Sequence, residues 1–466
     1  MARLRAPAWI GALAGALFAA WGHGFANYDT LYALVWGRQI GHGQSPSFDV
    51  SLAPTPHPLA NLLGLVTAPL TARGAEDVTV VIAFLALGAC GWLIYALGAR
   101  WFGVAAGILA ALIFLTREPV LSYGTRAYVD LWYLALVLGA LLVIERRRAP
   151  FVLLALAGLV RPEAWLFSAA LLAWRWHRGG WSWDLAALAA AAPVLWLASD
   201  WVIVGSPLHS LTGTRENVHT LGRVTGLQHV PATLPRRIGE VLREPVLVGA
   251  AGGGLLALWL LRGRALLPAA AGVLGVLAFC LLAAAGLPII TRYTFGIDAI
   301  LAIFCGAGAF GWLLLRPGDP WRTRWAFFGG LVIVLLVAFI PSQYHRLSKT
   351  RRAIAVQDRI GGDLWSVALP RCPNGQRLGV VNHRLVPQLA LRIDRDPAGI
   401  RPAPLPPGFL GTYVSPANAR VAKDFVLDPR DPSQRVARPP RGLAPAARNA
   451  SWVVLRRCTP EVRGGE

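Results

Sequence analysis

The sequence predicts an all-α polytopic membrane domain of about eleven transmembrane helices, followed by a small α/β C-terminal domain outside the membrane. Three observations carry that reading. The 466 residues are 55% apolar and only 15% charged, against roughly 45 to 50% apolar and 25% charged in a soluble domain. Apolar runs recur from 9 to 341, and one run of about 20 residues is enough to cross a bilayer. Beyond 341 these runs give way to a helical pattern, short β-like runs and Pro-rich loops, so 1–341 reads as the membrane domain and 342–466 as the extracytoplasmic one.

In chain order, spans are expected at 8–26, 78–99, 101–116, 128–144, 150–160, 164–174, 183–204, 246–262, 265–285, 293–315 and 325–341. The start carries Arg3 and Arg5 with no small-residue cleavage site after a short apolar core, so it reads as a retained first helix with a cytoplasmic N-terminus. Alternation from there puts Arg100, Arg146, Arg147, Arg148, Arg175, Arg178, Arg262, Arg264, Arg316, Arg322 and Arg324 on short cytoplasmic loops, as the positive-inside rule asks. The odd count sends the C-terminus outside. The two spans at 150–160 and 164–174 also admit one kinked helix, which would invert everything after them; the basic loop 175–178 favours two.

Net charge is +21, and residues 342–466 hold 21 Arg and Lys against 9 acids, so +12 of it lies there. A basic face beside a bilayer suits anionic headgroups, lipid phosphates or acidic glycans. Nucleic acid is a poor second and is not expected as a partner, because nothing resembles a recognition motif and the basic residues are scattered between prolines. Lys349 and Lys423 are the only lysines, the arginine bias of a high-GC bacterial genome. Cys90, Cys280 and Cys305 fall inside apolar spans, as small core residues do. Cys372 and Cys458 each lie beside a β-like run, 377–381 and 451–457, and are expected to form a disulfide in an oxidising compartment, the alternative being two unrelated free thiols.

Three segments outside the bilayer are long enough to carry function. The first, 27–77, contains an amphipathic stretch at 29–42 whose Leu31, Leu34, Val35 and Trp36 are expected to lie on the membrane. The second, 205–244, is polar and carries Arg215, Glu216, His219, Arg223, Arg236 and Arg237. The third is the tail, opening with a helical pattern through Ile354, Ile360, Leu364 and Val367 and ending in Pro-rich loops at 402–407 and 432–445.

The candidate chemistry sits at the outer ends of the spans. Asp29 follows the first span, where partial desolvation raises a carboxylate toward the range of a general base; the alternative is a helix N-cap. Asp49 lies further along that loop, before a proline-stiffened segment, 54–59, which either holds His57 for contact with a phosphate or a sugar hydroxyl or is a rigid turn before the apolar run 59–70. Arg126 and Asp130 have the four-residue spacing of a helical ion pair, or else Asp130 is a second site carboxylate. Arg161 and Glu163 flank Pro162 between two apolar half-helices, a costly place for charge, so they either pair with each other or serve a site, for which Arg161 has the planar donor set of a phosphate clamp. Arg292 is a second phosphate contact or an interfacial anchor beside Tyr293. No Gly-rich nucleotide loop, zinc-spaced Cys/His cluster or Ser/His/Asp arrangement is present.

Over residues 1 to about 341, this order of parts resembles the GT-C superfamily of membrane glycosyltransferases. The parts are a first span, Asp29 opening a long outer loop, the Pro-flanked 54–59, Arg126 with Asp130, and Leu159-Val160-Arg161-Pro162-Glu163 between short helices. The resemblance implies transfer of a sugar from a polyprenyl monophosphate to a glycan or glycolipid acceptor on the outer face of a bacterial plasma membrane. It implies Asp29 as base, Asp130 as the second acidic position and Arg161 on the donor phosphate. The outer-loop acid is single where many relatives have a pair, so the base lies between Asp29 and Asp49. An obligatory metal is not implied, although Asp29 with Asp49 or Asp130 could hold a divalent ion. The tail is similar to that of arabinofuranosyl- and mannosyltransferases of the cell envelope. A lipid or solute transporter is the competing class.

Overall fold

A computed structural model describes residues 2–370, 372, 377–426 and 439–458. The membrane part is built of α1 (Ala2–Trp21), α2 (Tyr28–Gly41), α3 (Pro58–Val66), α4 (Ala72–Phe102), α5 (Val104–Leu115), α6 (Glu118–Thr125) and α7 (Asp130–Leu142). It continues with α8 (Ala149–Gly158), α9 (Glu163–His177), α10 (Trp183–Val204), α11 (His209–Thr220), α12 (Val230–Leu260), α13 (Arg262–Ala284), α14 (Phe295–Phe310) and α15 (Pro320–Ser366). Every expected span falls on a helix, but the count of eleven crossings is not reproduced. Among the described residues six helices are long and apolar enough to cross, or seven if α5 and α6, bent by 64° at their junction, form one span. Several of the others are short: the ten residues of α8 rise about 15 Å, half of a hydrocarbon core of about 30 Å. The protein is therefore a multi-pass membrane protein that also carries several apolar helices shorter than a full crossing.

α8 and α9 form a hairpin rather than one kinked helix. Arg175 near the end of α9 donates to Ile144 O at 2.7 Å and Arg146 O at 3.0 Å, just before α8 begins. Other basic loops meet at the same end of the bundle. Arg100 donates to Leu142 O at 2.9 Å and pairs with Glu145, Arg148 pairs with Asp184 at 2.7 Å, and Trp259 packs edge-on against Trp321. Inside the bundle small residues replace the hydrophobic drive that lipid removes. A Cβ on Gly253 of α12 would lie 2.2 Å from Phe304 O of α14, so these two helices touch backbone to backbone.

α15 runs unbroken through position 341, the expected domain boundary, and carries its last turns into the C-terminal domain. Its inward residues there, Ile354, Ile360 and Leu364, are buried as the periodicity required. The domain adds β1 (Leu378–Val380), α16 (Val386–Ile393), β2 (Ile400–Pro402), β3 (Gly411–Pro416), β4 (Ala444–Arg448) and β5 (Trp452–Arg457). The sheet order is β2-β1-β3-β5-β4, parallel at β2/β1 and β1/β3 and antiparallel at β3/β5 and β5/β4. The expected disulfide joins Cys372 to Cys458. Of the second Pro-rich loop, 432–445, the part before 439 lies outside the described residues.

The expectation that α2 lies on the membrane is overturned. Leu31, Leu34, Val35 and Trp36 are buried in one core with Leu364, Leu389, Tyr413 and Trp452 of the C-terminal domain. The apolar stripe is covered by protein because the tail folds back over it, and α3 covers another face. A Cβ on Gly64 of α3 would lie 2.3 Å from Ala33 O of α2.

Candidate active site

The chain leaves α1 and is pinned against the α6–α7 connection, where Phe25 N donates to Thr125 O at 3.1 Å and Asn27 N to Arg126 O at 3.0 Å. Asn27, not Asp29, caps α2: its side-chain oxygen accepts from Asp29 N at 2.8 Å and Thr30 N at 3.3 Å. The capping alternative for Asp29 is thereby removed, and its carboxylate is free to face the cavity beside it. Asp130 opens α7, Arg161 forms the tip of the α8–α9 hairpin, and Arg292 sits on the 3-10 turn Thr291–Thr294 before α14.

These distant residues converge in one line of alternating charge. Glu163 accepts from Arg161 Nε at 3.0 Å, and Arg161 Nη1 donates to Asp130 Oδ1. Asp130 Oδ2 lies 3.6 Å from Arg292 Nη1, which donates to Asp29 Oδ2 at 2.9 Å. Tyr293 lies 3.9 Å beneath the Arg161 guanidinium, and Tyr128 is 5.2 Å from that of Arg292. Three carboxylates thus share two guanidinium groups, and burial makes each pairing matter. Arg161 is 6% exposed and its charge is met by Asp130 and Glu163, so it holds this floor together rather than standing free as a clamp. The Arg126–Asp130 pair does not form; Arg126 donates to Ser122 O at 3.1 Å and to the Ser122 hydroxyl.

Burial raises the Asp29 carboxyl, but Arg292, then His57 and Arg223, hold it below the ordinary carboxylate range. The raised value expected for a base is therefore not found in this state, because a guanidinium contact outweighs desolvation. His57 is pushed down to about 4, mainly by burial, with Asp29 opposing and Arg161 reinforcing the fall. It is neutral at pH 7, and its Nδ1 has no hydrogen-bond partner among the described residues.

The line forms part of the wall of a cavity of about 1060 Å³. Asp29, His57, Asp130, Arg161, Glu163 and Arg292 all border it. Arg126 borders it too, whereas Asp49 is exposed and lies off its wall. Sequence reasoning gave no role to Arg223, Arg236, Arg237 and Glu240, which also line it; their cluster in the polar segment 205–244 was the available signal. Glu240 binds Arg237 at 2.9 Å and Arg236 at 3.2 Å, while Arg223 has no carboxylate partner among the described residues. An apolar side, with Leu166, Ala278, Leu281 and Leu282, leads away between α9 and α13, and Trp365 and Gln388 close the top. Among the described residues no group of three or more His, Cys, Asp or Glu is placed to hold a metal, and the Asp29 and Asp130 carboxylates are already engaged by arginine.

No protein-family model matches the chain, and no curated protein matches it in sequence. Solved structures do match in fold. ArnT from Cupriavidus metallidurans bound to undecaprenyl phosphate aligns over 96% of this chain and 97% of its own, at 13% identity and a TM-score of 0.56. Its apo state aligns over 98% of both chains, at 13% identity and a TM-score of 0.54. The chain therefore has the fold that the resemblance in its sequence implied.

Proposed function

We propose that this protein is a membrane glycosyltransferase that moves a sugar from a polyprenyl monophosphate to a glycan or glycolipid acceptor of the cell envelope. The observation that carries the reading is one carboxylate, Asp29, at the wall of a cavity that has both a guanidinium-rich side and an apolar side. That pairing of surfaces suits an amphiphile with a phosphate head and an isoprenoid tail. The shared fold with a protein solved with undecaprenyl phosphate supports the same donor class. The exposure of Asp49, off the cavity wall, supports Asp29 over it as the base.

In the proposed reaction the acceptor hydroxyl gives its proton to Asp29 as its oxygen bonds to the anomeric carbon. The bond from that carbon to the phosphate oxygen breaks with its electron pair, and polyprenyl phosphate leaves with its charge met by guanidinium groups. Displacement from the face opposite the phosphate inverts the anomeric centre. Arg161 positions Asp130 and Glu163, and neutral His57 offers a nitrogen to a sugar hydroxyl. No step requires a metal. The cavity and the C-terminal domain face outward and the N-terminus is cytoplasmic, since the basic loops gather at the opposite end.

The test is turnover by the purified full chain with a panel of polyprenyl-phosphate sugars. Asp29→Asn is expected to lose about 10²- to 10⁴-fold in kcat, the usual worth of a general base, while still binding donor. Equal turnover in the variant removes Asp29 as base. Directional movement of lipid without any sugar transfer indicates a carrier instead.

A further inference from the structure

Arg292 is shared between two carboxylates. Its Nη1 lies 2.9 Å from Asp29 Oδ2 and 3.6 Å from Asp130 Oδ2, and its Nε has no partner among the described residues. Asp29, in turn, has no other side-chain donor among the described residues. A carboxylate paired with a guanidinium is a poorer proton acceptor than a free one, so the arrangement as it stands holds the base in check. The other arginine of the line cannot relieve it, because Arg161 is taken by Glu163 and Asp130.

Resting on the transferase reading, we propose that the donor's lipid phosphate takes Arg292 away from Asp29, with Asp130 as the pivot that keeps the guanidinium in place, so that the base is unmasked only when donor is bound. One cation then performs two tasks in sequence. It silences the base in the empty cavity, and it neutralises the leaving phosphate once that base is free to receive the acceptor's proton. Arg223 is the second cation near Asp29 and lies on the loop after α11, where it can share the phosphate. Asp130 is a positioning residue in this scheme and touches no reacting atom.

The exchange has a proton signature. Asp29 without Arg292, and close to an anion, binds a proton more readily, so donor binding takes up protons and weakens as pH rises through the new Asp29 value. The charged or titratable groups around Asp29 are Tyr28 on its own helix, His57, Asp130, Arg161, Arg223, Arg292, and Arg384 beside Tyr28. His57, at about 4 in the empty cavity, titrates at the acid edge of this window, so the uptake assigned to Asp29 is the part seen above it that Asp29→Asn lacks. The acid limb of kcat, which reports the donor complex, is expected at higher pH than that of kcat/KM, which reports the free enzyme.

The experiment is calorimetric binding of undecaprenyl phosphate, in mixed micelles, to the full chain and its variants, in two buffers of different ionisation enthalpy. Asp29→Asn is expected to bind at least about tenfold tighter, because the phosphate no longer competes for Arg292. Arg292→Gln is expected to bind at least about tenfold weaker, and adding Asp29→Asn to it brings no tightening. Wild type takes up more protons than Asp29→Asn, a difference from which the phosphate's own ionisation near pH 6 cancels. Unchanged or weaker binding by Asp29→Asn overturns the exchange; so does a tightening that persists without Arg292, which is plain removal of a negative charge. If Asp29→Asn does not fold, infrared difference spectra of wild type at pH 5 decide: a protonated-carboxyl band appears on adding undecaprenyl phosphate, and its absence overturns the proposal. These readouts need no turnover. If they hold while Asp29→Asn still transfers sugar, the exchange stands and the base assignment falls.

Discussion

At the scale of the residue, Arg161 shows how a charge legible in sequence acquires its role from its neighbours. Its cost beside apolar half-helices is evident from Pro162 and the runs around it, but whether it meets a phosphate or a carboxylate depends on Asp130, thirty-one positions away. With two carboxylates and the Tyr293 ring around it, Arg161 binds the cavity floor together. Arg161→Ala is expected to destabilise the protein by about 3 to 5 kcal/mol, since it leaves buried carboxylates without a countercharge. Thermal unfolding in detergent measures this. A clamp for phosphate alone would instead lose donor affinity and keep its unfolding temperature. Asp29 gives the complementary case: its place after the first span is sequence information, and its lowered proton affinity is a property of Arg292, 263 residues on.

At the scale of the element, the amphipathic pattern of α2 was correctly periodic and wrongly partnered. An apolar stripe of four residues states that something greasy covers it, and lipid and protein satisfy that demand equally. The C-terminal domain supplies the cover, which makes that domain part of the platform for Asp29. The disulfide between Cys372 and Cys458, 86 positions apart, therefore acts on the site at a distance. Replacing both cysteines by serine is expected to cost the C-terminal domain roughly 4 to 5 kcal/mol by loop entropy. Limited proteolysis with and without reductant should show that domain opening first, with exposure of Trp36 following by fluorescence.

At the scale of the whole molecule, the two ends of the bundle differ in kind. One gathers short basic loops bonded to one another, and the other holds the cavity roofed by the sheet domain. A cysteine placed at the exposed Asp49, in a background with Cys280→Ala, is expected to react with an impermeant maleimide in intact cells. One placed at Arg147, where the side chain is 62% exposed, is expected to react only after lysis. The reverse pattern inverts the proposed orientation and puts the cavity inside.

The sequence by itself determined the membrane class, the place of the apolar helices, the break at 161–163, two of the tail's strands, β1 and β5, and the cysteines that join. Each of these rests on local periodicity, composition or breaker residues, which are properties of contiguous chain. Only the tertiary structure decided how long each helix runs, what covers α2, and which acid meets which arginine. Hydropathy registers that a run is apolar and says little about its depth when ten residues cover only half a bilayer. Charge pairing between positions 29, 130, 161 and 292 has no sequence signature, because attraction between ions depends on distance in space and on what excludes water around them.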